Sequence, residues 1–197
     1  MSSALFTPLF FPNIAFFKEM MGFSDLFYNI QQGFSKQSFL NRTYILTANG
    51  TMRLVVPVQG GKTQMSYPEV KIIYREQWQR QHLRSIETAY RKSAYFEHYM
   101  PMLRQLYAQN HKFLVDFNLA GMEWLLSQLG ISSWAEWKGQ AVDADFRKAF
   151  HPKQPLEKTY AFTPYFQVFN DRMPFQENLS TIDLLFNMGS EARNYLK

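Results

Sequence analysis

The sequence predicts a mixed α/β (α+β) fold. A small N-terminal sheet with an Asn-Gly hairpin is followed by a mostly helical half. Three observations predict it. Asn49-Gly50 lies between two β-prone runs, Tyr44–Ala48 and Met52–Val58, the signature of a two-residue hairpin turn. From about Glu76 the apolar period changes from two to 3.6. Trp78, His82, Ser85, Ile86 and Ala89 then share an arc of about 100°, opposite Arg80, Arg84, Glu87 and Arg91. The chain has 197 residues, 46% of them apolar, and no cysteine. That is enough to bury a core without staples, and it excludes a disulfide scaffold, a thiolate metal site and a cysteine nucleophile.

The elements follow in order. Residues 4–10 (ALFTPLF) read as a short buried strand. Pro12-Asn13 opens a helix carrying Phe16, Phe17, Met20 and Met21, with Asn13 as N-cap and Gly22 at its end. Residues 25–30 (DLFYNI) read as a second strand and 31–43 as a polar loop. The hairpin is expected to turn in type I′, with Asn49 and Gly50 both at positive φ. Val70–Tyr74 reads as a further strand. Helices are expected from about 76, over 94–108 with Pro101 breaking it or opening its second half, and over 112–129 up to Gly130. Phe166–Phe169 (FQVF) reads as a late strand. Ser180–Asn187 reads as a helix closed by Gly189, and 190–196 as a last helix. No repeat, low-complexity tract or linker interrupts this order, so one domain over 1–197 is expected.

Composition bounds the function. Nineteen Phe, 11 Tyr and 4 Trp make an unusually aromatic chain. The net charge of +5 is mild, and acids are interleaved with the bases. It suits an anionic small molecule better than a nucleic-acid footprint. The most apolar stretch, residues 4–17, is broken by Pro8 and Pro12 and is too short to span a bilayer. It lacks the features of a signal peptide. A cytoplasmic location is therefore the default, and the sequons at Asn41, Asn49 and Asn178 carry no glycan argument.

Several motifs are candidates for chemistry. Val56–Thr63 (VPVQGGKT) ends like a phosphate-binding loop but has Val56 where Gly is needed and no helix start after it. The four histidines, at 82, 98, 111 and 151, show no ligand spacing, so no metal site is expected. His82, mid-stripe on its helix, reads either as a buried, hydrogen-bonded core residue or as a general base at a pocket floor. Ser180 and Asp183 fit a capping box. Asp183 and Asn187 also lie one turn apart on one helix face. With Asn178 beside the helix start, they can bind an anion or a sugar hydroxyl. Lys36, Asn41 and Arg42 lead into the hairpin. Lys36 and Arg42 can hold a phosphate or carboxylate; otherwise Lys36 is solvated and Arg42 ion-paired. Nothing in these motifs names a cofactor.

The same segments carry a resemblance. FFPNIAFF, KQSFLNR with TYI and NGTMRLVVPV, WQRQHLRSIETAYRKSAYFEHY, and YFQVF with FQENLSTIDLLFNMG run in order from about residue 9 to residue 190. The ordered set resembles the WbqC-like protein family. Leu40, Glu177 and Pro101 depart from the family pattern. The resemblance implies a functional role for His82, Tyr90, Asn41, Arg42, Asn178, Ser180, Asp183 and Asn187, which fall in its motifs. It also implies a link to surface-polysaccharide (O-antigen type) metabolism, without supplying a reaction. The function expected is a cytoplasmic enzyme acting on a sugar nucleotide or related activated precursor, with possible acyl or aminoacyl transfer. In it His82 would serve as base, Asp183 as its orienter or a hydroxyl acceptor, and Lys36 and Arg42 as anion holders. The alternative is a non-catalytic ligand-binding or assembly protein.

Overall fold

The computed structural model describes residues 2–35, 37–60, 65–132, 134–153 and 159–197. Its elements are β1 (Ser3–Phe6), α1 (Ile14–Met20), β2 (Asp25–Tyr28), β3 (Arg42–Thr47), β4 (Gly50–Val55), α2 (Trp78–Tyr90), α3 (Phe96–Ala108), α4 (Leu114–Gln128), β5 (Ala135–Glu136), β6 (Ala144–Asp145), α5 (Thr181–Met188) and α6 (Ala192–Leu196). The mixed α/β class stands: β1–β4 precede the helices α2–α4, but two late strands, β5 and β6, complete the first sheet.

β1 and β2 pair in parallel across α1, as the crossover connection of a parallel pair requires. The sheet then gains β5 beside β2 and β6 beside β1, both parallel, in the order β5-β2-β1-β6. Asn13 caps α1 as expected: its Oδ1 accepts from Phe16 N–H at 3.2 Å. Gly22 follows the cap residue Met21 but does not adopt a positive φ.

β3 and β4 form a separate antiparallel hairpin, with Thr47 paired to Gly50. The turn is therefore Ala48-Asn49, one residue earlier than expected, and it is not type I′. Neither turn residue has a positive φ; only Gly50 does, at +99°. Thr47 explains the shift, because its Oγ1 donates to Gly50 C=O at 2.8 Å and accepts from Asn49 N–H at 3.3 Å.

Two expected strands are not formed. Val70–Tyr74 makes only isolated bridges, Ile72 to Val58 and Lys71 to Phe113. Residues 166–169 lie outside any strand: 168 and 169 already belong to a turn, and the Gln167 side chain bonds inward. α3 runs unbroken through Pro101. Pro101 and Glu97, whose carbonyl it leaves without a helical donor, both lie on the exposed side of the helix.

Buried apolar side chains from Ala4 to Leu196 make one contiguous cluster. α2 turns Trp78, His82, Ile86, Ala89 and Tyr90 into it, as its periodicity predicts. The aromatic surplus fills this core. Phe11, Trp78, Tyr107 and Phe117 meet with centroids 5.4–6.5 Å apart, mostly tilted or edge-on.

Candidate functional site

The polar centre of the molecule is Asp183, which is fully buried on α5. Its carboxylate collects three donors from two segments. Tyr90 Oη on α2 donates to Oδ1 at 2.8 Å. Tyr165 Oη donates to Oδ2 at 2.5 Å, and Gln167 Nε2 to the same oxygen at 3.2 Å. One turn on, Asn187 Nδ2 donates to the Asp183 carbonyl at 2.8 Å. Tyr90 Oη also accepts from Leu46 N–H of β3 at 3.3 Å, and its ring stacks on Phe186 with centroids 5.0 Å apart. Burial pushes the Asp183 carboxyl up from the usual carboxylate range, and the four donors around it pull the other way. Burial first, then the neighbouring carboxylate, pushes the Tyr90 and Tyr165 phenols well up, so both remain protonated donors.

This geometry replaces the expected capping box. Ser180 is the N-cap residue of α5 but makes no side-chain cap bond. Its Oγ donates to Phe11 C=O at 3.0 Å, and its N–H to Tyr44 C=O at 2.9 Å. Asp183 faces the phenols rather than the helix start. Asn178, at φ +54°, accepts from Ala15 N–H at 2.9 Å, so it holds the first turn of α1. Thr43 Oγ1 also donates to Phe11 C=O, at 2.7 Å. Phe11 itself sits at φ +41°, costly for a non-glycine residue. The two hydroxyl bonds to its carbonyl help to fix that conformation.

His82 lies elsewhere. It is 6% exposed, and its Nε2 is 3.1 Å from both Val55 N and Val55 O. Its Nδ1 is 3.2 Å from Tyr107 Oη. Both neutral tautomers are satisfied. Nε2 can accept from Val55 N–H while Nδ1–H donates to Tyr107, or Nε2–H can donate to Val55 C=O while Nδ1 accepts from the phenol. Burial pushes its pKa down to about 4. Among the described residues His82 and Asp183 share no hydrogen-bond partner. His82 and Tyr90 are eight residues apart on α2, roughly 12 Å along its axis. His82 thus fastens β4 to α2, and Tyr90 fastens α2 to α5.

Asn41 and Arg42 are 7% and 8% exposed. Asn41 Nδ2 donates to Val56 C=O at 3.0 Å, while its Oδ1 and the Arg42 Nε have no partner among the described residues. No ion pair holds Arg42 among the described residues. Lys36, and Gly61–Thr63 at the end of the phosphate-loop-like motif, lie outside the described residues. No group of His, Asp or Glu with metal-holding geometry occurs among the described residues.

A surface groove is lined by residues that neighbour the Asp183 donors in the chain. One cleft of about 310 Å³ is lined by Thr88, Arg91, Lys92, Phe166, Phe169 and Arg172, and by Asp171, whose Oδ2 accepts from Arg172 Nε at 3.2 Å. An adjoining cleft of about 500 Å³ is lined by Ala48, Met52, Arg84 and Ala89 and shares Thr88 and Phe169 with the first. One end is cationic and the other apolar. Both walls abut the buried centre: Tyr90 lies between Ala89 and Arg91, and Phe166 between Tyr165 and Gln167. The segment alternates, with Tyr165 and Gln167 buried and Phe166 67% exposed.

The structure therefore joins Tyr90, Asp183 and Asn187, and links Ser180 to them through β3. It leaves His82, Asn41 and Arg42 at the far end of the same hairpin. Tyr165, Gln167 and the groove bases Arg91 and Arg172 were not singled out from the sequence. The signal for the first two was present: two polar side chains two positions apart share one face of an extended segment.

A sequence model of the WbqC-like protein family matches residues 7–149. The chain is 26% identical over 218 aligned positions to the uncharacterized protein Rv1507c of Mycobacterium tuberculosis, an alignment covering 95% of this chain and 91% of that protein. No solved structure matches it. No helix among the described residues is long and apolar enough to cross a membrane. With its family segments in order from the first strand-to-helix turn through β6, the chain belongs to the WbqC-like protein family.

Proposed function

We propose that residues 1–197 form one WbqC-like domain that binds an anionic activated precursor in the groove over α2 and acts on it as a cytoplasmic enzyme. The precursor class is a sugar nucleotide or an acyl or aminoacyl donor, and the setting is surface-polysaccharide metabolism. One observation carries the reading: a cleft with Arg91, Lys92 and Arg172 opens into an apolar cleft across a shared Phe169. Guanidinium groups suit phosphate or carboxylate, and the exposed Phe166 ring offers a face to a planar or sugar ring. Asp183 and Tyr90 lie behind the groove walls, and His82 and Asn41 fasten the open end of the hairpin whose turn lines the apolar cleft.

Thermal unfolding against nucleotide sugars, nucleotides and acyl-coenzyme A compounds tests this. A ligand at 100 times its Kd stabilises the fold by about 2.7 kcal/mol, a rise of roughly 5–10 °C. The rise should disappear in Arg91→Ala/Arg172→Ala. No rise with any compound sinks the reading. The exposed Phe166 and Met52, 67% and 40% accessible, favour the second reading, a non-catalytic assembly protein. It gains ground if the variant Phe166→Ala/Met52→Ala changes the sedimentation of the protein and no ligand shifts its melting.

A further inference from the structure

The two walls of the groove hang from one carboxylate. Asp183 Oδ1 holds the α2 wall through Tyr90 at 2.8 Å. Oδ2 holds the opposite wall through Tyr165 at 2.5 Å and Gln167 at 3.2 Å. The consequence for the groove is geometric. In an extended segment adjacent side chains point to opposite sides. With Tyr165 and Gln167 drawn in, Phe166 must point out, and it lines the cationic cleft. The Gln167 amide is itself fixed at both ends. Its Oε1 accepts from Gln176 N–H at 3.0 Å, and its Nε2 also donates to Gln176 C=O at 2.9 Å. Just beyond, Asn170 N–H bonds Gln167 C=O, and Arg172 N–H bonds Phe169 C=O, each at 3.0 Å. The turn that presents Arg172 is thus built directly on the tied segment. On the other wall, Tyr90 is followed by Arg91 and Lys92, so the helix position fixed by its hydroxyl is the one that aims those two bases.

We propose that Asp183 is a positioning residue that ties the Arg91 wall to the Phe166–Arg172 wall and so sets the width of the groove and its affinity for an anionic ligand. The tie is local. No other described side chain bonds both walls to one group. Its partners are neutral donors, so the link does not depend on an ion pair that salt would screen. The affinity half of the inference rests on the reading of the groove given above; the mechanical half does not.

Tyr165→Phe tests it with the loss of a single oxygen. Amide exchange is measured across the intact protein, with Tyr107→Phe as control, a buried phenol that bonds His82 and not Asp183. The expected result is about tenfold faster exchange at Asn170, Arg172 and Met173 in Tyr165→Phe, with α4 and the hairpin unchanged. The control should leave those three amides as they are. Even acceleration across the fold, or none at the three amides, overturns the proposal. Binding of inorganic pyrophosphate is measured in parallel by calorimetry. About tenfold weaker binding in Tyr165→Phe, and unchanged binding in the control, is the expected outcome. If the wild type binds no pyrophosphate, the reading of the groove as a phosphate site fails while the exchange data still decide the tie. Unchanged affinity with locally faster exchange overturns the affinity half alone. Should Asp183→Asn, the more direct variant, fail to fold, Tyr165→Phe decides the matter.

Discussion

Tyr90 Oη lies 2.8 Å from Oδ1 of Asp183, a residue 93 positions further along the chain. The same oxygen accepts from Leu46 N–H, so one phenol joins α2, α5 and β3. Tyr90→Phe keeps the ring stacked on Phe186 but leaves a buried carboxylate oxygen and a main-chain N–H without a partner. It should cost about 2–3 kcal/mol. Urea unfolding should show a lower midpoint at an unchanged slope. In a double-mutant cycle with Tyr165→Phe the two losses should not add, because both phenols serve one carboxylate.

His82 and Asp183 give stability opposite dependences on pH. The pKa of His82 falls from 6.5 to about 4 on folding. Between those values the unfolded chain binds the proton and the folded chain does not. Stability is therefore fully present above pH 6.5 and is lost as pH falls toward 4, by about 3 kcal/mol. Asp183 is shifted up from 3.8. Its contribution is present below that value and is lost as pH rises through its folded pKa. Denaturant unfolding from pH 7 to pH 4 should show the acid loss in wild type and its disappearance in His82→Gln. If His82→Gln keeps the wild-type slope, His82 is not the group responsible.

Gly189 closes α5 at φ +58° and ψ −129°. A Cβ there would lie 2.3–2.5 Å from ring atoms of Tyr95. Gly189→Ala combines a strained backbone with that overlap and should cost roughly 3 kcal/mol or more. Adding Tyr95→Ala should return the steric part and leave the backbone part. Calorimetric melting of the single and double variants separates the two.

Phe166 separates binding from folding. Its ring is 67% exposed, so Phe166→Ala should alter stability by no more than about 0.5 kcal/mol. Any ligand that raises the melting temperature of the wild type should raise that of the variant less. Equal shifts would remove Phe166 from the site.

The helical half was largely legible. The Trp78–Ala89 stripe, the end of α4 near Gly130 and the close of α5 at Gly189 all depend on periodicity or a single special backbone position. β5 and β6 were not legible. Each has two residues and exists because β2 and β1 present unpaired edges to Ala135–Glu136 and Ala144–Asp145. The turn type was misread because Thr47 competes for the Asn49 and Gly50 backbone. The site was legible where residue type dominates: Tyr90, Asp183 and Asn187 meet. Residues 165–167 were hidden because the usual alternation is inverted there. Phe166 faces out and Gln167 faces in, since a buried carboxylate needs donors more than the core needs one more ring. His82 and Asp183, both on apolar helix faces, were expected together, yet α2 spaces their contacts two turns apart.

The carbonyl of Phe11 has a consequence for how the molecule is made. One of its two hydroxyl partners, Ser180, is 169 residues away, and the Asn178 side chain that caps α1 comes 163 residues after Ala15. A ribosome adding about 5–20 residues per second needs roughly ten to thirty seconds to cover that gap. During that interval the first turn waits with its left-handed Phe11 only partly secured and its helix start uncapped by Asn178. Early helix and sheet can form only provisionally, and the arrival of residues 178–183 at the tunnel exit is the event that lets the N-terminal turn and the Asp183 centre close together.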